Sequence, residues 1–192
     1  MREFYRRFGI TPATRVLDLG GREFNWTLMP FLPRVTILNV SLQGDRGGEI
    51  EWMLGDAREL PFEDAAFDVV YSNSVIEHFA TAEDQRRFAS ECRRVGRSYY
   101  VQTPNRRFPV EPHLFTPFIH WLPSRWQAPL LRNFTVWGWI TRPDAAAQSR
   151  FLTTTRMLTR ADLEELFPDA EIWNERFLGL TKSFIAAQGA KL

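Results

Sequence analysis

The sequence predicts a mostly parallel α/β sheet with helices on both faces, a C-terminal antiparallel hairpin and one aromatic, basic insertion after the fifth strand. Three observations carry this. Apolar runs of strand length recur and close on glycine or a polar residue; capped segments with a helical apolar face lie between some of them; and two final runs sit too close together for a helix to separate them. At 192 residues the length quotient is roughly 1.3 on a 150-residue prior, so residues 1–192 are expected to form a single domain. A hydrophobic share of 44% and a charged share of 24% exclude disordered, collagen-like and disulfide-scaffold classes.

Arg15 to Leu19 is an apolar run with one acid, closed by Gly20 and Gly21, and reads as a buried strand entering a tight turn. Val35 to Val40 is a second strand, Ile50 to Leu54 a third that ends at Gly55-Asp56, and Phe67 to Ser72 a β-branched and aromatic fourth. Thr81 caps a helix through Val95, with Asp84 as its acidic partner and Phe88, Ala89, Cys92 and Val95 on one face. Ser98 to Gln102 reads as strand five. Thr159 caps a later helix that Pro168 stops after Phe167, and Glu171 to Phe177 with Thr181 to Ala187 form the closing hairpin. Ligands of such sheets lie beyond the carboxyl ends of the strands, which places the candidate site there.

Pro104 to Arg150 interrupts the rhythm with prolines and aromatics and shows no clean helical or alternating period, so it is expected to be an insertion that covers the site as a lid. Four of the seven tryptophans (121, 126, 137 and 139) fall in it. From Pro104 to Arg160 eight arginines face only Glu111 and Asp144, a local balance of +6 in a chain whose net charge is +1. Any basic footprint is therefore local. Two accounts stay open: a second small core, or an aromatic, basic mouth for an anionic or amphiphilic acceptor, with peripheral membrane contact. A nucleic-acid mouth ranks lower, because no recognition module accompanies it.

The single cysteine, Cys92, excludes an internal disulfide, and Arg2, Arg6 and Arg7 are followed by no apolar stretch of the secretory kind. The uncharged run Pro112 to Ser124 is too short and proline-rich to span a bilayer, and the expected localisation is cytoplasmic.

The residues at the strand ends carry the chemistry. A glycine after strand one, Gly20 followed by Gly21, allows close backbone approach to a ligand, and an amide at the end of strand two, Asn39, can hydrogen-bond a ribose. The segment GDARELPFEDAAFDVVYSNSVIEHF resembles the heart of the class I S-adenosylmethionine-dependent methyltransferases, of the small-molecule kind often described as type 11. Arg156-Met-Leu-Thr-Arg-Ala-Asp-Leu and the hairpin after it resemble the family's end, so the likeness covers about 150 residues and leaves only the insertion unmatched. It implies a Rossmann-like fold and S-adenosyl-L-methionine as cofactor. Asp18 would orient the methionine end, Asp56 would bond the adenine amino group, and the Ala57 backbone would frame the ring. Ser72, at the end of strand four, joins the expected cofactor set. Two departures stand out: Arg22 and Phe24 occupy the places of the family's later glycines, and Asn39 replaces its ribose acid.

Methyl transfer from a sulfonium is an in-line displacement in which alignment supplies most of the rate. A hydroxyl acceptor also benefits from a base, and His113, beside Glu111, is narrowly preferred to His78. His113 and His120 lack a metal spacing, so no metal is expected, and His120 is expected to pack with Trp121. Asp68 reads as structural, and Arg86-Arg87 and Arg93-Arg94 as a solvated helix face. The functional expectation is methyl transfer to a small-molecule or lipid-linked acceptor. The rivals are a non-catalytic ligand-binding member of the same fold and an RNA methyltransferase.

Overall fold

The structure is a computed structural model that describes residues 1–41, 48–111 and 113–189. Helix α1 (Arg2–Phe8) precedes β1 (Arg15–Leu19), and α2 (Phe24–Thr27) leads to β2 (Arg34–Asn39) and β3 (Glu51–Leu54). Then come β4 (Val69–Asn73), a 3-10 turn (Ile76–His78), α3 (Ala82–Val95) and β5 (Tyr99–Pro104). The insertion holds the short pair β6 (Val110–Glu111) and β7 (Thr116–Pro117), followed by α4 (Ser124–Leu131), α5 (Val136–Thr141) and α6 (Ala145–Thr154). Helix α7 (Arg160–Leu166) and the hairpin β8 (Glu171–Phe177) and β9 (Leu180–Gln188) complete the described chain.

The main sheet runs β3-β2-β1-β4-β5-β9-β8. The first five of these strands are parallel, and β9 returns antiparallel to β5 and pairs with β8 as a hairpin. Strand order reverses at β1, whose neighbours are β2 on one side and β4 on the other, and this switch point leaves a crevice beyond their carboxyl ends.

Alternation along each strand feeds two cores. Leu17, Leu19, Leu38 and Val70 point to one face, where Phe88, Cys92 and Val95 of α3 pack on them. Val16, Val35, Ile37, Val69 and Tyr71 point to the other, against Phe4, Tyr5 and Trp26. The Thr81 cap and the α3 face are as the sequence implies, and Thr159 with Asp162 forms a full capping box at α7. Asp68 is structural: its Oδ2 accepts the Arg15 N–H at 2.8 Å, at the amino end of the sheet.

One helix is added to those the sequence implied, and two expectations need correction. The residues before β1 fold as α1, whose Phe4 is fully buried against Tyr71 and Tyr100; the i, i+4 pair Phe4 and Phe8 is the signal that announces it. The insertion, aperiodic by sequence, holds three helices. They are short and stopped by local caps, with Thr135 accepting from Gly138 and Asp144 from Ala147, and α6 buries no residue fully, so no apolar stripe develops. Finally, Arg94 is no solvated arginine. Its guanidinium binds Glu91, Asp64 and the Leu60 and Phe62 carbonyls, clamping the segment after β3 onto α3. Among the described residues no helix is long and apolar enough to cross a membrane.

Candidate active site

The crevice at the switch point encloses about 530 Å³, within the range of small-molecule sites. Register places its walls. Leu19 lies beside Leu38 and Ser72, and Asn39 beside Leu54, so the turns after β1, β2, β3 and β4 open at one level. Asp18, Gly20, Gly21, Asn39, Asp56 and Ala57 all line it, and so does His78.

Asp18 is fully buried. The Trp26 indole N–H donates to its Oδ2 at 2.8 Å, whereas Oδ1 has no partner among the described residues. Burial lifts its pKa to about 7, against the lowering pull of that indole. A buried carboxyl with one free oxygen in a crevice wall is an acceptor awaiting a donor.

The glycines are needed for a different reason from the one the sequence suggests. Gly20 sits at φ +69°, and a Cβ there would meet Val75 Cγ2 at 2.7 Å. A Cβ on Gly21 would fall 1.8 Å from Asp18 Oδ2. The protein's own packing thus forbids side chains at both positions before any ligand does. Arg22 lines the crevice, and Phe24 starts α2 exposed.

Asn39 Nδ2 donates to the Gly21 carbonyl at 3.3 Å, tying β2 to the glycine turn and leaving the amide oxygen available. Asp56 caps its own turn by accepting the Arg58 N–H at 2.9 Å, and pairs with the Arg58 guanidinium at 2.6 Å. That guanidinium also reaches Asp84 on α3 at 2.7 Å. The hydrogen bonds from Arg58 hold the Asp56 pKa below the ordinary carboxylate range. Both carboxylate oxygens of Asp56 thus accept from Arg58, and each keeps further acceptor capacity.

Ser72 does not join this group. It is fully buried and faces the opposite side of β4 from Tyr71, because successive side chains alternate. Tyr71, Asn73, Ser74 and Val75 form that wall instead. Ser74 has φ +57°, uncommon for a non-glycine residue, and its N–H and hydroxyl both donate to Gln102, at 3.1 and 3.0 Å.

The two candidate histidines meet, with ring centroids 5.0 Å apart. His78 is held below its ordinary pKa by desolvation and by its neighbour His113. His113 is desolvated too, but the hydrogen bond and charge of Glu111 and the charge of Glu77 outweigh this and raise its pKa. Glu111 Oε1 lies 2.7 Å from His113 Nδ1. Sequence reasoning missed Glu77, which is fully buried and raised to about 7 chiefly by burial. Its place is fixed from outside the turn: buried Gln85 donates to the Ile76 and Arg156 carbonyls, and the Arg156 N–H donates to the Glu77 carbonyl at 2.7 Å. His120 sits apart, packed with Trp121 at 5.5 Å and bonded to the Arg106 carbonyl.

A second cavity of about 690 Å³ adjoins the crevice and shares Asn25, Tyr71, Asn73 and Ser74 with it. Phe108, Val110 and Phe115 of the insertion form one side, and Glu175 and Lys182 of the hairpin another.

Residues 34–98 match the model of a family described as a methyltransferase domain. A curated relative from Mycolicibacterium smegmatis, named a probable S-adenosylmethionine-dependent methyltransferase, is 49% identical over 55 residues, which is 27% of this chain and 20% of the relative. The match thus spans about a fifth of that relative's length. The solved structure of an S-adenosylmethionine-dependent methyltransferase from Methanosarcina mazei superposes with a TM-score of 0.52 at 16% identity, covering 95% of this chain and 94% of that one. A Burkholderia thailandensis 1,6-didemethyltoxoflavin-N1-methyltransferase with bound 1,6-didemethyltoxoflavin and S-adenosylhomocysteine gives a TM-score of 0.54 at 14% identity, covering 93% and 71%. These distant superpositions speak for the fold alone, and the likeness to a methyltransferase domain rests on residues 34–98, about a third of the chain.

Proposed function

We propose that this chain binds S-adenosyl-L-methionine in the switch-point crevice and transfers its methyl group to a small-molecule or lipid-linked acceptor held in the adjoining cavity. The observation that carries the reading is Asp18, whose free buried oxygen faces the crevice between the Gly20 turn and the Asn39 amide. The residues present fit the cofactor. Asp18 receives the ammonium of the methionine end, the Asn39 amide oxygen receives a ribose hydroxyl, and Asp56 receives the adenine amino group. Ala57, buried beneath, supports the ring. When bound, the cofactor supplies a sulfonium methyl. The chain's own contribution is alignment, and the paired imidazoles His78 and His113 are where an acceptor hydroxyl is activated. The ligands of the Burkholderia relative support a donor site with a neighbouring acceptor site in this fold.

The acceptor cavity is walled by aromatics and ringed by Gln102, Glu175 and Lys182, which suits a largely apolar molecule with one polar group. A lipid-linked acceptor is supported by the outer face of the insertion. Phe118, Trp121, Trp126, Phe134 and Trp139 are each more than half exposed there, in the segment whose local charge is +6. Among the described residues its buried cluster is Leu114, Ile119 and Leu131, with Trp137 and Phe151 packed against it, so the second-core account leaves the five exposed rings outside. Exposed indoles beside arginines fit an anionic bilayer surface.

Calorimetric titration with S-adenosylhomocysteine tests the reading. One equivalent is expected to bind the wild-type chain, and Asp56→Ala to weaken it at least several-fold. Absence of binding at millimolar ligand would refute the donor site and favour a non-catalytic role.

A further inference from the structure

The residues at the end of the crevice do more than pair two imidazoles. Glu77, His78 and His113 bring one carboxylate oxygen and two ring nitrogens within 4.8 Å of one another. Glu77 Oε2 accepts the Thr103 hydroxyl at 3.0 Å, while the fully buried Oε1 has no hydrogen-bond partner among the described residues and faces His113 Nε2 at 3.9 Å. A direct hydrogen bond would close to about 2.7–3.2 Å. Two tetrahedral ligands, each about 2.0–2.2 Å from zinc, stand roughly 3.4 Å apart, so the observed gap matches an intervening ion better than a proton. Glu111 completes the argument. By accepting from His113 Nδ1 at 2.7 Å it sets the tautomer and turns the Nε2 lone pair toward Glu77, the carboxylate–histidine–metal arrangement. Glu111 is itself buried and takes the Leu114 N–H on its other oxygen, so the orienting contact is fixed.

We propose that Glu77, His78 and His113 bind a divalent first-row transition cation, oriented by Glu111 and Thr103, in the wall between the donor crevice and the insertion. Two imidazoles and one carboxylate select such an ion over magnesium or calcium, which favour all-oxygen shells. Three protein ligands leave positions open. His78 lines the donor crevice, which puts one ligand of the ion on its wall. The role of the ion rests on the methyl-transfer reading, and it narrows the acceptor to one carrying a hydroxyl. Seated on the ion, that hydroxyl releases its proton to water. Its oxygen pair forms the new O–C bond as the C–S bond of the sulfonium breaks, and the electron pair returns to sulfur.

The test is zinc calorimetry on the full chain after chelator treatment, with cobalt(II) absorption as a second readout. One equivalent of zinc is expected, and cobalt(II) is expected to show visible ligand-field bands. Glu77→Gln and His78→Ala should each weaken zinc at least tenfold, and Glu111→Gln by about 10–100-fold. His120→Ala should leave zinc binding unchanged. His78 is exposed, so its variant tests the site without disturbing the core, and circular dichroism verifies the fold. Absence of stoichiometric zinc, or uptake undiminished in both His78→Ala and Glu77→Gln, would overturn the proposal. S-adenosylhomocysteine binding without zinc binding would overturn the metal site alone. Zinc binding lost in these variants, in a chain that ignores S-adenosylhomocysteine, would keep the metal and remove the transferase reading.

Discussion

Asp18 is a carboxyl that the fold buries with one oxygen unpartnered among the described residues. Its carboxyl is held near pKa 7 by burial, against an ordinary value of 3.8, so the folded state grips a proton that the unfolded chain would release. Its contribution to stability is therefore complete below the unfolded value and is lost as pH rises through about 7. Asp18→Asn keeps an acceptor for Trp26 and removes that loss. Thermal melts of the free variant should run above wild type at pH 8, by roughly 2–4 °C for each kcal/mol recovered, and converge with it only below the unfolded value of 3.8. Binding moves the other way. A ligand ammonium needs the ionised carboxyl, so S-adenosylhomocysteine affinity should fall by up to about tenfold per pH unit below 7 in wild type and become flat in the variant. A pH-independent wild-type affinity would detach Asp18 from the donor. Asp18, Gly20, Asn39 and Asp56 were legible in the sequence because each sits where a strand run stops. Ser72 lies outside the crevice although it stands at the end of β4, because the two-residue alternation turns it to the buried face. Glu77 escaped because His113 lies 36 residues away in a segment that only the tertiary fold brings to it, whereas Glu111 stood beside His113 in the sequence.

The strands and α3 announce themselves through period and caps, and their observed bounds differ from the expected ones by one or two residues, as at β4 and β9. The insertion is different. Its helices are stabilised by local caps and by a core of three aliphatic residues, so a search for amphipathic period finds nothing. Five of its rings, Phe118, Trp121, Trp126, Phe134 and Trp139, are instead more than half exposed. Wild-type chain should co-sediment with vesicles containing anionic lipid and be released by salt. The triple substitution of Trp121, Trp126 and Trp139 by serine should abolish sedimentation while keeping S-adenosylhomocysteine affinity within twofold. These rings are exposed, so their loss spares the core. Vesicle binding unchanged in that variant would remove the bilayer from the account. Retained affinity for RNA, falling steeply with salt, would move the face to a nucleic acid.

For the whole molecule, one topological fact organises the rest. Strand order reverses at β1, and the strand ends on either side deliver an acid, a glycine turn, an amide and a second acid to one level. Helix α3 then locks the Asp56 turn through Asp84, Glu91 and Arg94, while α1 and Trp26 seal the opposite face beneath Asp18. The strand-after-strand order of this arrangement could be read from the residues; the junction of the 3-10 turn with the insertion, where the imidazoles meet, could not, since it depends on Thr103, Gln85 and Arg156 from three separate elements. The most direct measurement of the central claim is a crystal structure grown with saturating S-adenosylhomocysteine. The account predicts the adenine amino group against Asp56, a ribose hydroxyl on Asn39 and the amino acid end on Asp18. Ligand density at another surface, or a crevice closed by its own side chains under saturating ligand, would contradict it.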